Sequence, residues 1–142
     1  MRPLAFIDLE TTGATATADR ITEIGIVEVD EDGSVREWQQ LVNPGTRIPP
    51  FIEQLTGISN EMVADAPPFA AVADETLRRL EGRLFIAHNA RFDYGFLKNE
   101  FKRLGIAFQG FSPGITVAVR GDHDDGDVRA RGLGLRQKLK TG

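Results

Sequence analysis

The first third of the chain alternates short apolar runs with polar turns. Residues 4–10 form a mostly apolar run that leads into a Thr-Thr-Gly turn signal, which is typical of a buried strand entering a loop. Ile21–Val29 and residues 35–42 are further strand candidates, and the polar stretch 30–34 between them suits a tight turn. We therefore expect an antiparallel meander of three strands.

Helical signals follow a proline-rich break. Residues 51–55 and 59–63 predict two short helices, the first closed by Gly57 and the second capped by Ser59. Apolar residues at helical spacing predict a longer helix over residues 69–80, behind a Pro-Pro pair that suits a helix start.

A fourth strand and a last helix complete the regular pattern. Residues 84–87 are apolar and predict a buried strand, and a helix begins at Asn89 or its neighbour. Four apolar residues are expected on one face of that helix: Tyr94, Leu97, Phe101 and Leu104. The order β-β-β-α-β-α predicts an α/β fold in which a mixed sheet is flanked by helices.

The composition changes after about Gln109. Glycine becomes frequent, an acidic cluster precedes a basic tail, and only residues 115–119 suggest a further strand. We therefore divide the chain into a core, residues 1–109, and a Gly/Asp/Arg-rich segment, residues 110–142, which we expect to add little to the core.

Composition and charge narrow the chemistry. Cysteine is absent, so any metal site is left to carboxylates and the two histidines, and a hard cation such as Mg²⁺ or Mn²⁺ is the natural ligand. The net charge of −4 argues against broad neutralisation of phosphates, although an enzyme that grips only a strand end remains possible. The first apolar run is short and ends at Asp8, so we expect a cytoplasmic protein without a membrane span.

Asp8 and Glu10 are the first candidate functional residues. They are two apart on a predicted strand, so their side chains lie on the same face, where two carboxylates repel unless a cation or proton lies between them. The alternative is a solvated pair on an edge strand. The apolar surroundings favour a metal site, because an unpaired buried charge is costly.

A second candidate group follows the strand at residues 84–87. The sequence HNARFD, residues 88–93, places Asp93 in the first turn of the next helix. Asn and Asp near a helix start also serve as caps, so capping is the alternative interpretation. Both acidic groups would meet in one cleft if their strands are neighbours.

These two segments carry a family resemblance. Residues 6–13, FIDLETTG, resemble the first motif of the DEDD (DEDDh-type) 3′→5′ exonucleases, and residues 88–93 followed by Phe96 and Leu97 resemble the second. This family includes the proofreading subunit of bacterial replicative DNA polymerase. The similarity covers residues 4–109, and two motifs in the right order are a specific signal.

The resemblance implies a ribonuclease-H-like fold and hydrolysis of DNA 3′ ends to nucleoside 5′-monophosphates, in proofreading or repair. Asp8, Glu10 and Asp93 would hold two Mg²⁺ or Mn²⁺ ions about 3.5–4 Å apart, one activating water and one stabilising the departing 3′ oxygen. The partners implied are single-stranded DNA 3′ ends and a DNA polymerase subunit. Residues implied in substrate binding, with ordinary turn or core roles as the alternative, are Thr11, Thr12, Gly13, Ile58, Asn89 and Phe92.

The family's third motif, a His followed five residues later by an Asp, is not recognisable. His123 is the only histidine after the second motif, and the residue five positions on is Val128. We interpret His123 as a solvated loop residue. The chain is then either truncated or divergent at its C-terminal end, which leaves a catalytically silent nucleic-acid- or polymerase-binding module, or an RNA-trimming exoribonuclease, as alternatives to an active DNA exonuclease.

Overall fold

The described part of the chain folds around a five-stranded sheet. A computed structural model describes residues 2–108 and the backbone of a strand at 117–118. The strands have the order β3-β2-β1-β4-β5 across the sheet. Their bounds are Leu4–Thr11 for β1, Ile21–Val29 for β2, Val35–Leu41 for β3, Leu84–Ala87 for β4 and Val117–Ala118 for β5. Within the described part of the chain, no helix is both long and apolar enough to cross a membrane.

The central strand is β1. It pairs antiparallel with β2 along its whole length and parallel with β4 from Leu4↔Leu84 to Ile7↔Ala87. Strands β2 and β3 are also antiparallel, which confirms the predicted meander, and β4 and β5 are parallel. Because β1 and β4 run in the same direction, their carboxyl ends meet at one edge of the sheet.

Within residues 2–108, four helices connect and cover the strands. Their bounds are Pro50–Thr56 for α1, Asn60–Ala64 for α2, Phe69–Leu80 for α3 and Ala90–Arg103 for α4. The predicted caps are confirmed at Gly57, which is left-handed with φ 74°, and at Ser59, whose hydroxyl accepts from the Met62 amide. These helices and the mixed sheet confirm the predicted fold class.

The main apolar cluster joins α3 and α4 to alternate residues of β1. Phe101 lies at its centre, with its ring 5.0 Å from that of Phe69 and 4.8 Å from that of Phe108. A smaller cluster under α1 and α2 contains Ile48, Ile52, Ile58 and Val63.

One residue of the last helix was placed wrongly by periodicity. Leu104 does not continue the buried face of α4, because the helix ends at Arg103 and Leu104 is 38% exposed. Glu100 takes a buried position on that helix instead and is 1% exposed. Residues 117–118 of the strand predicted at 115–119 form β5, whereas His123 and the rest of the 110–142 segment lie outside the described residues.

Candidate active site

Strand β1 positions Asp8 and Glu10 at the edge where it ends. Ala5, Ile7 and Leu9 alternate with them and are buried in the main cluster, at 0%, 2% and 6% exposure. Asp8 and Glu10 therefore lie on the opposite face, as the two-residue spacing predicts. Asp8 is half-buried and Glu10 is 6% exposed.

Asp93 reaches the same edge from α4. The β1–β4 pairing ends at Ile7↔Ala87, so Leu9 extends beyond the partner strand. The chain turns at that point into α4, with Asn89 as N-cap, and brings Asp93 into the first helical turn. There the Leu9 backbone amide donates a hydrogen bond to the Asp93 carboxylate, and the side chain is 6% exposed.

The three carboxylates are electrostatically coupled. Burial raises the pKa of Asp93 well above its ordinary value, and the neighbouring charges of Asp8 and Glu10 raise it further. The hydrogen bond from Leu9 acts in the opposite direction but does not offset them. A bound cation would remove this repulsion, because it replaces the missing solvation of Asp93 and neutralises its neighbours.

The donor chemistry fits a hard divalent ion, since the three side chains supply only carboxylate oxygens. The three carboxylates lie farther apart than the ligands of a formed metal site. Within residues 2–108, no group of three or more His, Asp or Glu side chains lies close enough together to coordinate an ion. Metal binding at this edge would therefore involve movement of the carboxylates toward the ion.

The Thr11–Gly13 segment leads from the end of β1 into the β1–β2 loop, beside these carboxylates. Thr11 and Thr12 are buried, at 2% and 4% exposure. The Thr11 hydroxyl donates to the Gly13 carbonyl at 2.6 Å, and the Thr12 hydroxyl donates to Asp19 at 3.2 Å. Both hydroxyls are thus engaged inside the loop, and the backbone is the part of this segment that a substrate could contact.

The other predicted substrate residues are less accessible or have another role. Ile58 is 1% exposed in the smaller apolar cluster, which supports its core alternative. Asn89 is the N-cap of α4 and accepts a hydrogen bond from the Phe92 amide at 3.4 Å, so the capping alternative is present. Phe92 is half-buried, and its ring lies 4.7 Å from that of Phe96.

Two further polar residues lie near this edge: Glu23, which the sequence did not single out, and His88, which belongs to the 88–93 segment but was assigned no role of its own. Glu23 is 7% exposed on β2 and is the direct cross-strand partner of Glu10, so it adds a fourth carboxylate to the same face. His88 follows β4, and among the described residues its buried Nε2 has no hydrogen-bond partner. Glu23 could have been identified from the strand register, which pairs it with Glu10, but only after β2 had been aligned with β1.

Comparison with known proteins identifies the family of this chain. The profile of the RNase T family, described as exonuclease, matches residues 5–111. The chain belongs to the RNase T exonuclease family. This match contains Asp8, Glu10 and Asp93, and it confirms the family predicted from the two motifs.

Relatives of this exonuclease domain are parts of much longer proteins. The 3′-5′ exonuclease DinG of Bacillus subtilis is 45% identical over 101 residues, 70% of this chain and 11% of DinG. A PolC-type DNA polymerase III of Caldanaerobacter subterraneus is 40% identical over 102 residues, 72% of this chain and 7% of the polymerase. The chain therefore spans about a tenth or less of the length of these relatives.

A solved structure confirms the ribonuclease-H-like fold of the domain. The zinc-bound form of the E. coli ExoI–single-stranded DNA complex superposes with a TM-score of 0.70. The alignment covers 86% of this chain and 28% of ExoI, at 21% identity. At this identity the similarity establishes the fold alone.

The raised pKa of Asp93 predicts how stability depends on pH when no metal is bound. The pKa of Asp93 is higher in the folded than in the unfolded protein. The stability that Asp93 contributes is therefore fully present below its unfolded pKa and is lost as the pH rises through its folded pKa. In EDTA, the melting temperature of the parent should fall more between about pH 5 and about pH 8 than that of Asp93→Asn. Equal losses in the two proteins would contradict the shift.

Proposed function

We propose that this domain is the catalytic part of a 3′→5′ exonuclease that removes nucleoside 5′-monophosphates from single-stranded DNA 3′ ends. The observation that carries the proposal is the convergence of Asp93 on Asp8 and Glu10 at one edge of an exonuclease-family sheet. Burial and the neighbouring charges of Asp8 and Glu10 oppose the ionisation of Asp93, and a divalent cation shared by the three carboxylates would remove this repulsion, as in a metal-dependent hydrolase.

We assign Asp8, Glu10 and Asp93 to the binding of two divalent ions, with Mg²⁺ or Mn²⁺ as the candidates. Such a pair of ions supplies an activated water and stabilises the departing 3′ oxygen. Asp8 and Glu10 project from the same face of the central strand, so the sheet fixes the separation of their backbone positions while their side chains can move toward the ion. Asp93 is oriented by the Leu9 amide, which keeps its carboxylate at the end of β1.

Single-stranded DNA is favoured as the substrate for two reasons. The ExoI structure that shares this fold contains single-stranded DNA, and one relative is a DNA polymerase III. The net charge of −4 suits an enzyme that holds only a strand end rather than a long duplex. The match within a PolC-type polymerase also supports association with a DNA polymerase as the biological setting.

The test is nucleotide release from oligonucleotides labelled at either end. With Mn²⁺, a 3′-labelled single strand should yield labelled mononucleotide at once, while a 5′-labelled strand should shorten progressively. EDTA should stop both reactions, and a matched RNA strand should react more slowly than DNA. Binding without release would instead favour a catalytically silent nucleic-acid-binding module, and faster loss of RNA would favour an exoribonuclease.

A further inference from the structure

Asp19 is the hydrogen-bonding centre of the β1–β2 loop. Its carboxylate accepts from the Thr12 hydroxyl at 3.2 Å and from the Thr15 amide at 2.9 Å. The Thr12 hydroxyl in turn accepts from the Arg20 amide at 3.0 Å, while the Thr12 amide donates to the Arg20 carbonyl at 2.8 Å. One side chain therefore joins the start of the loop to its end.

The same carboxylate lies directly against Gly13. A Cβ built on Gly13 would be 2.5 Å from Asp19 Oδ2 and 2.6 Å from its Cγ, which is closer than atoms can approach. The backbone of Gly13 is not left-handed, so alanine could adopt its conformation. Alanine at this position would therefore push the Asp19 carboxylate, the far end of a flexible side chain, away from its hydrogen bonds in the loop.

The far side of the loop is attached to the helix that carries Asp93. The Arg103 guanidinium donates to the carbonyls of Ala16 and Thr17 at 3.3 and 3.2 Å, and a Cβ on Gly95 would be in ordinary contact with Ala16. The loop is thus held between β1 and α4. Asp19, at the end of this loop, contacts Thr12 and Gly13 and so fixes their backbone relative to the rest of the loop.

We propose that Asp19 is a positioning residue that holds the Thr11–Gly13 backbone in the conformation that receives the terminal nucleotide. This inference rests on the proposed exonuclease function. Asp19 acts through Thr12 and Gly13 and does not itself contact the metal or the scissile phosphate. Its removal should therefore weaken substrate binding while sparing the carboxylate site.

A double-mutant cycle between Gly13→Ala and Asp19→Ala tests this arrangement. Each single variant should raise KM for a 3′-labelled oligonucleotide about tenfold with little change in kcat, because ground-state binding is lost. In the double variant the methyl group added at position 13 occupies space vacated by the carboxylate, so KM should match that of Asp19→Ala alone. Effects that multiply in the double variant would overturn the inference.

Asp32→Ala is the matched control. Asp32 accepts a hydrogen bond from the Ser34 amide in the β2–β3 turn at the other end of the sheet, so its loss should leave KM unchanged. If Asp19→Ala behaves like Asp32→Ala, Asp19 has no positioning role. Asp19→Asn retains an acceptor for the Thr15 amide and should give a KM between those of the parent and Asp19→Ala; it also carries the test, with Gly13→Ala, should the alanine variant not fold.

Binding measured in parallel separates this inference from the proposed function. Fluorescence anisotropy of a labelled oligonucleotide gives Kd for each variant whether or not cleavage occurs. A parent that binds but releases no nucleotide would overturn the exonuclease proposal, while a higher Kd for Asp19→Ala than for Asp32→Ala would still support positioning. Equal Kd values for those two variants would overturn it.

Discussion

Asp93→Asn is expected to lower kcat for 3′ nucleotide release by about 10³-fold, the equivalent of about 4 kcal/mol in the activation barrier. Asparagine has nearly the same shape, and its carbonyl oxygen can still accept the hydrogen bond from the Leu9 amide. What it lacks is the negative charge that would bind a divalent ion together with Asp8 and Glu10. The measurement is single-turnover release of a 3′ label with saturating Mn²⁺.

Asp74→Asn is the control for this prediction. Asp74 is exposed on α3, so the same loss of charge occurs away from the sheet edge. Its kcat should stay within about twofold of the parent value, since isolated surface substitutions have small effects. An Asp93→Asn variant that retained the activity of Asp74→Asn would show that Asp93 is a capping or packing residue and not part of the catalytic site.

Glu100→Ala is expected to destabilise the fold by about 3 kcal/mol, in the range observed when one partner of a buried ion pair is removed. Glu100 is 1% exposed and accepts from Arg20 Nε at 2.9 Å, from the Ile21 amide at 3.2 Å and from Arg103 at 3.0 Å. Its removal would leave the Ile21 amide buried without a partner and would remove the ion pair that joins Arg20, at the end of the β1–β2 loop, to α4.

Urea unfolding followed by circular dichroism measures this effect as a lower midpoint at an unchanged slope. Glu31→Ala, at an exposed position in the β2–β3 turn, should change the free energy of unfolding by less than about 0.5 kcal/mol. Equal midpoints for Glu100→Ala and Glu31→Ala would mean that Glu100 is solvated in solution and does not join α4 to the loop.

Local sequence signals predicted most of the regular structure. The apolar run of residues 4–10 predicted the buried strand β1, the spacing in α3 predicted its buried face, and Gly57 and Ser59 predicted two helix ends. Periodicity failed at the end of α4, where it placed Leu104 in the core. A helical wheel has no information about Glu100, which is buried because residues about 80 positions earlier in the chain donate to it.

The sequence also predicted part of the candidate site. The spacing of Asp8 and Glu10 placed both on one face, and the second motif placed Asp93 at a helix start. Their convergence depends on the parallel pairing of β1 with β4, which the sequence left conditional. Glu23 and Asp19 were missed, because their roles depend on cross-strand register and on contacts within a loop that has no periodic pattern.

The central claim is that Asp8, Glu10 and Asp93 share one divalent-metal site. It is tested most directly by thermal melts of the parent and Asp93→Asn, in EDTA and in millimolar Mn²⁺. Asp93→Asn should melt higher than the parent in EDTA, because repulsion between the carboxylates is relieved. It should also lose most of the Mn²⁺-induced rise in melting temperature, because that rise comes from Mn²⁺ binding to the folded state and the variant lacks one of the three carboxylates that bind the ion. A variant that melts lower than the parent in EDTA and keeps the parent's full Mn²⁺ shift would contradict the claim.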